Sequence, residues 1–118
     1  MNTADFVQQV IALYRCLAGD HVRTRRADRE LAAAWHHCGM TLASIEGAML
    51  LALARRTGRP PAAPPLPPIR SLYYFVPLLD EVTARPLADH YLAYLRARLA
   101  GVLADPDLGA RPENDVSR

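Results

Sequence analysis

The spacing of apolar residues along the chain predicts five α-helices. In five segments these residues recur at intervals of three and four, which puts them on one face of a helix. The third segment has the clearest ends, with Thr41 placed to cap its first turn and Gly58 placed to stop it. No segment alternates apolar and polar residues as a half-buried strand does. We therefore predict an all-α chain with helices over about residues 3–17, 25–38, 42–57, 71–82 and 86–103.

The second and third predicted helices differ in the extent of their apolar surface. The third is apolar nearly all round, from Leu42 to Leu53. A helix of that kind is normally buried against several neighbours, so we expect it at the centre of a compact bundle. The second helix carries a single stripe, with Trp35 as its expected core anchor. The members of that stripe are Ala27, Leu31, Ala34, Trp35 and Cys38.

A proline-rich connector separates the third helix from the fourth. Residues 59–68 read Arg-Pro-Pro-Ala-Ala-Pro-Pro-Leu-Pro-Pro, and proline excludes both helix and central strand. We expect a stiff, extended crossover of about 30 Å, at roughly 3.1 Å per residue. A Pro-x-x-Pro ligand for an aromatic-groove domain is the other interpretation. Residues 105–118 are rich in Pro, Gly, Asp and Asn, so we predict one helical domain, residues 1–104, and a disordered tail.

The fourth segment contains a run of three aromatic residues, from Tyr73 to Phe75. Arg70 stands at its entrance, and Tyr73 is expected on the outer side. Pro77 falls inside the segment, where we expect it to bend the helix. The fourfold spacing assigns the other large residues chiefly to the core: Tyr74, Phe75, Leu78, Leu79 and Val82.

Length and composition describe one small domain. The chain has 118 residues, of which 51% are hydrophobic. It contains no stretch of roughly 18 apolar residues that would cross a membrane, and its N-terminus lacks a secretory signal. We therefore expect a cytoplasmic protein without membrane contact, in which Cys16 and Cys38 are reduced, buried thiols.

No arrangement of residues predicts catalysis, a metal site or a cofactor. His36 and His37 adjoin Cys38, but consecutive helical residues point about 100° apart and cannot chelate one ion. We expect one histidine to be half-buried and the other exposed. Glu46, on the otherwise apolar third helix, is expected to pair with an arginine across the bundle. These patterns favour a non-enzymatic protein that works by binding.

Arginine supplies all the strongly basic side chains. The chain has 14 Arg and no Lys, with a net charge of +4 over residues 1–104 and −2 over residues 105–118. Arginine presents a planar fork of donors that suits phosphate. An exposed tyrosine beside an arginine can stack on an unpaired base. We predict that nine residues contact nucleic acid: Arg23, Arg25, Arg26, Arg29, Arg55, Arg56, Arg59, Arg70 and Tyr73.

The fourth segment and the helix before it resemble the C-terminal DnaD-like domain of bacterial primosome and phage replication proteins. That family has an Arg-Ser-aromatic run leading into Tyr-Ile-x-x-Ile-Leu-x-x-Trp. Here the residues read Arg70-Ser71, then Tyr74-Phe75-x-x-Leu78-Leu79-x-x-Val82, with Val82 at the tryptophan position. The resemblance covers about residues 25–85. It implies a small helical module that contacts DNA in replication or in a mobile element.

Two functions from different classes remain open. The first is a non-enzymatic accessory module that binds single- or double-stranded DNA and works beside replication proteins. The second is an assembly module, a homodimeric helical bundle that makes no direct contact with nucleic acid. The third helix motivates the second function, because it is more apolar than a five-helix monomer easily buries. A dimer would also double a weak basic patch.

Overall fold

A computed structural model describes residues 1–19 and 22–104, without the side chains of residues 101–104. Within these ranges it contains five α-helices, one 3₁₀ turn and no strand, which confirms the predicted all-α bundle. The predicted tail, residues 105–118, lies outside the described residues. In chain order the elements are α1 (Thr3–Ala18), α2 (Arg26–His37), α3 (Leu42–Thr57), the 3₁₀ turn (Leu72–Phe75), α4 (Val76–Ala84) and α5 (Asp89–Ala104).

Capping side chains define where the first and third helices begin. The Asn2 side chain accepts the Asp5 N–H at 2.8 Å, so Asn2 caps α1 and Thr3 is its first residue. Thr41 caps α3 as predicted, because its hydroxyl accepts the Ser44 N–H at 3.0 Å. Each bond satisfies one of the N–H groups that a helix leaves without an internal acceptor.

The α2 helix is rotated about its axis relative to the prediction. Its buried residues are Asp28, Ala32 and Trp35, which have the spacing of one helical face. Arg25 occupies the N-cap position of this helix. The prediction failed because the stripe was drawn from apolar residues alone and left out Asp28, although a carboxylate can be buried when its oxygens find donors. Three members of the predicted apolar stripe are exposed instead: Ala27, Ala34 and Cys38.

The α3 helix lies at the centre of the bundle, as predicted. It packs against α1, the 3₁₀ turn, α4 and α5. Its large buried side chains Ile45 and Met49, one turn apart, pack in the main core, and Leu50 packs in a second cluster on another side of the helix. Neighbours on several sides therefore cover the apolar surface that motivated a dimer. On the α5 side, a small separate cluster forms from Leu50, Ala54, Leu95 and Leu99.

The connector is less extended than predicted. The Ala63 N–H donates to the Pro60 carbonyl at 2.9 Å, which closes a turn at the start of the connector. From Pro64 to Ser71 the chain runs without regular secondary structure. Ile69 is 8% exposed and anchors the end of this run in the core. The turn shortens the reach below that of an extended polyproline segment.

Pro77 marks the start of a helix and not a bend within one, and Pro86 precedes the start of α5. Pro77 lies in the first turn of α4, directly after the 3₁₀ turn, so the predicted bend within one continuous helix was wrong. A proline is tolerated there because the N–H it lacks has no acceptor within the helix. Pro86 was expected in the first turn of α5, but that helix begins at Asp89.

The structure contradicts the prediction for the two cysteines and confirms the prediction for the two histidines. Cys16 and Cys38 are exposed, so the prediction of buried thiols was wrong. His36 is half-buried and His37 exposed, as expected. The His36 ring packs on Phe6, with 4.7 Å between ring centroids, and this contact joins α2 to α1.

Candidate anion-binding site

The buried carboxylate of Asp28 joins the start of α2 to the end of the connector. Asp28 is 1% exposed. One carboxylate oxygen accepts the Arg25 N–H at 3.0 Å. The other accepts the Leu72 N–H at 2.9 Å and the Ser71 hydroxyl at 3.1 Å. A buried carboxylate that accepts several charge-assisted bonds holds its donors firmly in place, so Arg25 and Arg70 start from adjacent, fixed segments of backbone.

Three arginines from these segments line one open cavity of about 270 Å³. They are Arg23 and Arg25, from the loop before α2, and Arg70, from the end of the connector. Val22, Pro68 and Ile69 complete the lining. Sequence reasoning missed Val22, which lies in a polar loop but is 6% exposed and belongs to the core. Two predicted arginines of the loop, Arg23 and Arg25, and the predicted Arg70 thus line the same cavity.

The electrostatics of this cavity favour an anion. Among the side chains that the structure describes, no carboxylate lies within 4.0 Å of the guanidinium of Arg23, Arg25 or Arg70. The N-terminal end of α2 adds positive potential from its peptide dipoles. Asp28 offsets part of that potential, but it does not line the cavity and its oxygens are occupied by donors. A planar guanidinium can bind a phosphate or carboxylate oxygen pair through parallel N–H donors.

Two further arginines of the first group lie outside this cavity. Arg26 donates from Nε to Glu30 at 3.0 Å, in an exposed pair one turn apart on α2. Arg29 is exposed on the same helix. Glu30 offsets part of the charge of Arg26, while Arg29 adds a positive charge on the same helix that salt screens.

The second arginine group does not join the first. Arg55 forms a two-pronged pair with Glu81 of α4, and one of its bonds, from Nη1 to Oε2, is 2.9 Å long. This hydrogen bond lowers the pKa of the Glu81 carboxyl below its ordinary value, and the charge of Arg55 adds to the effect. The pair neutralises Arg55, which therefore attracts phosphate less than an unpaired arginine would.

Arg56 and Arg59 donate hydrogen bonds to the connector and to the 3₁₀ turn that follows it. Arg56 donates from Nη2 to the Pro67 carbonyl at 2.9 Å and from Nη1 to the Tyr74 hydroxyl at 3.1 Å. Its guanidinium carbon also lies 5.4 Å from the Tyr74 ring centroid, a cation–π contact. Arg59 donates to the Pro64 carbonyl at 2.6 Å. Both arginines thus have partners within their own chain.

Tyr73 and Tyr74 occupy different surroundings from those of Phe75. Tyr73 is 53% exposed, as predicted for a residue on the outer side. Tyr74 was assigned to the core but is 37% exposed, with its hydroxyl on Arg56. The 3₁₀ turn explains the error, because its three residues per turn do not follow the fourfold spacing used for the prediction. Phe75, Leu79 and Val82 are buried as expected.

Tyr14 places a second buried polar group near the base of the site. The side chain is 0% exposed, and its hydroxyl has no hydrogen-bond partner among the described residues. Burial raises the pKa of Tyr14, the negative charge of Asp28 raises it further, and Arg25 opposes them. The protonated phenol is therefore the form compatible with this fold near neutral pH.

The predicted ion pair of Glu46 is confirmed between α3 and α5. Arg96 of α5 donates from Nε to Glu46 of α3 at 3.0 Å. The Glu46 side chain is 23% exposed and that of Arg96 is 50% exposed, so the pair lies at the helix–helix boundary. It fastens α5 to α3 and has no part in the cavity.

Comparisons with known proteins found no match to this chain. No protein-family model matches the chain, and no curated protein or solved structure matches it. The likeness to the DnaD-like domain therefore stays a prediction from the residues. Over the described ranges, no helix has the length and apolarity needed to cross a membrane.

Proposed function

We propose that this chain is a non-enzymatic, cytoplasmic nucleic-acid-binding protein whose principal contact is the cavity of Arg23, Arg25 and Arg70. The observation that carries the proposal is that these three arginines line one open cavity, while Asp28 holds the backbone N–H groups of Arg25 and Leu72 beside it. The hydrogen bonds of Asp28 hold the start of α2 and the end of the connector together before any ligand binds. Binding then requires little further ordering of the backbone, which favours affinity.

Phosphate of a nucleic-acid backbone suits this cavity better than a small buried anion does. The cavity is open to solvent, and all its polar side chains are arginines. A buried small-molecule site would instead enclose its ligand among several kinds of polar group. Tyr73 lies exposed three residues beyond Arg70, where its ring could stack on a base. These features support binding with little sequence preference, because phosphate contacts read no base.

The resemblance to DnaD-like domains supports a setting in replication or in a mobile element, with other replication proteins as partners. The structure changes which residues this proposal assigns to phosphate. Arg23, Arg25 and Arg70 become direct contacts, and Arg26 and Arg29 contribute at longer range. Arg55, Arg56 and Arg59 are engaged within the chain and become secondary.

Fluorescence anisotropy with labelled single- and double-stranded oligonucleotides at several salt concentrations tests the proposal. The affinity should fall steeply with salt, with a slope of about 0.7 to 0.9 for each phosphate contacted. The double variant Arg25→Ala/Arg70→Ala should flatten that slope by about 1.5. A matched variant, Arg85→Ala/Arg98→Ala, removes the same charge from exposed positions elsewhere and should leave the slope nearly unchanged. Absence of binding at low salt, or equal effects of the two variants, contradicts the proposal.

A second candidate function, assembly with another copy of this chain, now rests on α5. Tyr91 and Tyr94 are 38% and 55% exposed and stack on each other with 6.0 Å between ring centroids. Exposed aromatic pairs are typical of interfaces, where tyrosine is enriched. Light scattering at increasing concentration tests it, with Tyr94→Ser as the variant expected to shift any dimer to monomer. A wild-type chain that stays monomeric at tens of micromolar contradicts assembly.

A further inference from the structure

We propose that Arg56 and Tyr74 are positioning residues for the anion site: they hold the connector so that the Arg70 guanidinium is presented to the cavity. We call Arg56, Arg59 and Tyr74 the connector latch. The proposal rests on the proposed function for the identity of the ligand. The hydrogen bonds that hold the connector form within the chain and need no ligand. It also assigns a role to residues that the anion site leaves unused.

The connector latch fastens the chain on both sides of Arg70. Arg56 reaches out from the last turn of α3 and donates to the Pro67 carbonyl, three residues before Arg70. The same guanidinium donates to the Tyr74 hydroxyl, four residues after Arg70. One side chain therefore joins α3 to the connector and to the 3₁₀ turn. Arg59 adds a further hold upstream, at the Pro64 carbonyl.

The composition of the connector makes it dependent on such donors. Residues 64–68 read Pro-Pro-Leu-Pro-Pro, so Leu66 supplies the only backbone N–H of this run. A segment like this cannot be held by a backbone ladder. Its carbonyl oxygens remain available as acceptors, and guanidinium groups bring several donors at once. Arginine is therefore suited to fasten a proline-rich segment to a helix.

The other fixed point lies directly after Arg70. The Asp28 carboxylate accepts the Ser71 hydroxyl and the Leu72 N–H, and it also accepts the N–H of Arg25, which lines the same cavity. Arg70 thus lies on a short span between Pro67, held by Arg56, and Ser71, held by Asp28. Ile69, within this span, is buried in the core. With both ends and the middle fixed, the Arg70 backbone has little freedom left to lose when an anion binds.

A positioning role and a direct phosphate contact give different salt dependences. Loss of a direct contact removes one counterion release and lowers the salt slope by about 0.7 to 0.9. Loss of a positioning residue weakens binding at every salt concentration and leaves the slope unchanged. Arg56→Ala should therefore weaken oligonucleotide binding about threefold to tenfold with an unaltered slope. Tyr74→Phe keeps the ring and all charges, and should weaken binding about twofold to threefold.

Amide hydrogen exchange of the chain alone provides a readout that needs no nucleic acid. In Arg56→Ala the amide of Tyr74, which donates to the Ser71 carbonyl at 3.1 Å, should exchange faster than in wild type because its side chain loses the bond to Arg56. The Leu72 amide should stay protected, because Asp28 still accepts it. Arg85→Ala serves as the matched control, since it removes an exposed charge away from the connector. Circular dichroism confirms that each variant is folded, and Tyr74→Phe supplies the milder test if Arg56→Ala is not.

The combined outcomes separate the two proposals. Faster exchange at the Tyr74 amide together with weaker binding and an unchanged slope supports the positioning role. A slope that falls by about one in Arg56→Ala identifies Arg56 as a direct contact and overturns it. Unchanged exchange and unchanged affinity in both latch variants also overturn it. Faster exchange in a chain whose wild type binds no oligonucleotide keeps the latch and refutes the proposed function.

Discussion

The Asp28 carboxylate accepts the backbone N–H of Leu72 at 2.9 Å, although the two residues stand 44 positions apart in the chain. This bond closes the bundle between α2 and the 3₁₀ turn. Asp28 also accepts the Arg25 N–H, and Arg25 and Arg70 line one cavity. The same buried group therefore contributes to stability and to the geometry of the anion site.

Replacement of Asp28 tests its contribution to stability. Asp28→Asn retains the shape but offers one acceptor oxygen to three donors, so at least one donor near the core loses its partner. We expect a loss of about 2–3 kcal/mol in the free energy of unfolding, measured by urea denaturation. Asp80→Asn, at an exposed position of α4, is the matched control and should change stability by less than about 0.5 kcal/mol. Equal effects of the two substitutions contradict this account.

The raised pKa of Tyr14 predicts a loss of stability at high pH. In the unfolded chain the phenol titrates at 10.0, whereas burial raises its pKa in the fold. The stabilising contribution is therefore present below about pH 10 and is lost as the pH rises through the folded value. Urea denaturation at about pH 9 and pH 11 measures the loss. Tyr14→Phe cannot ionise and should show a smaller decrease; an equal decrease in both proteins counts against ionisation of Tyr14 as the cause.

The Arg55–Glu81 pair predicts a contribution with the opposite pH dependence. Its hydrogen bond lowers the pKa of Glu81 below 4.5, so the contribution is present above that pH and is lost as the pH falls through the folded value. The pair is about half exposed, with side-chain exposures of 55% and 47%, so the effect should be small and weakened by salt. Thermal denaturation of wild type and Glu81→Gln between neutral and acid pH measures it. A drop that is no larger in wild type than in Glu81→Gln argues that the pair contributes nothing.

The attachment of α5 depends on a small apolar cluster. Leu95 is 0% exposed and packs with Leu50, Ala54 and Leu99. Leu95→Ala should lower the free energy of unfolding by about 2–5 kcal/mol, because it removes buried methyl groups and leaves a cavity. Tyr94→Ala, on the exposed side of the same helix, controls for helix propensity and should cost much less. Similar losses in the two variants would show that α5 is not held by this cluster.

The sequence predicted the features that depend on local chemistry. The helix count follows from apolar spacing, and the start of α3 follows from the capping chemistry of Thr41. The pairing of Glu46 was also predictable, because an acid on an apolar helix requires a partner. Failures occurred where the outcome depends on a distant segment. Asp28 could be recognised as buried only once the connector was known to bring Leu72 back to α2.

The candidate site was predicted in part for the same reason. Residue type marked the arginines as candidate anion-binding groups, and Arg70 was singled out at the entrance to the fourth segment. Spacing along the chain could not show that Arg70 lines one cavity with Arg23 and Arg25. Nor could it show that Arg56 and Arg59 donate hydrogen bonds to the connector. Those outcomes depend on where the proline-rich connector crosses the bundle, and its backbone lacks the regular hydrogen bonds from which a path could be inferred.

The most direct test of the central claim is an NMR titration of the isotope-labelled chain with a short single-stranded oligonucleotide at low salt. The account predicts that the largest chemical-shift changes occur at the backbone and side-chain N–H groups of Arg23, Arg25 and Arg70, with a smaller change at Tyr73. Changes concentrated on Arg55 or on the α5 tyrosines, or no change at all, would contradict it.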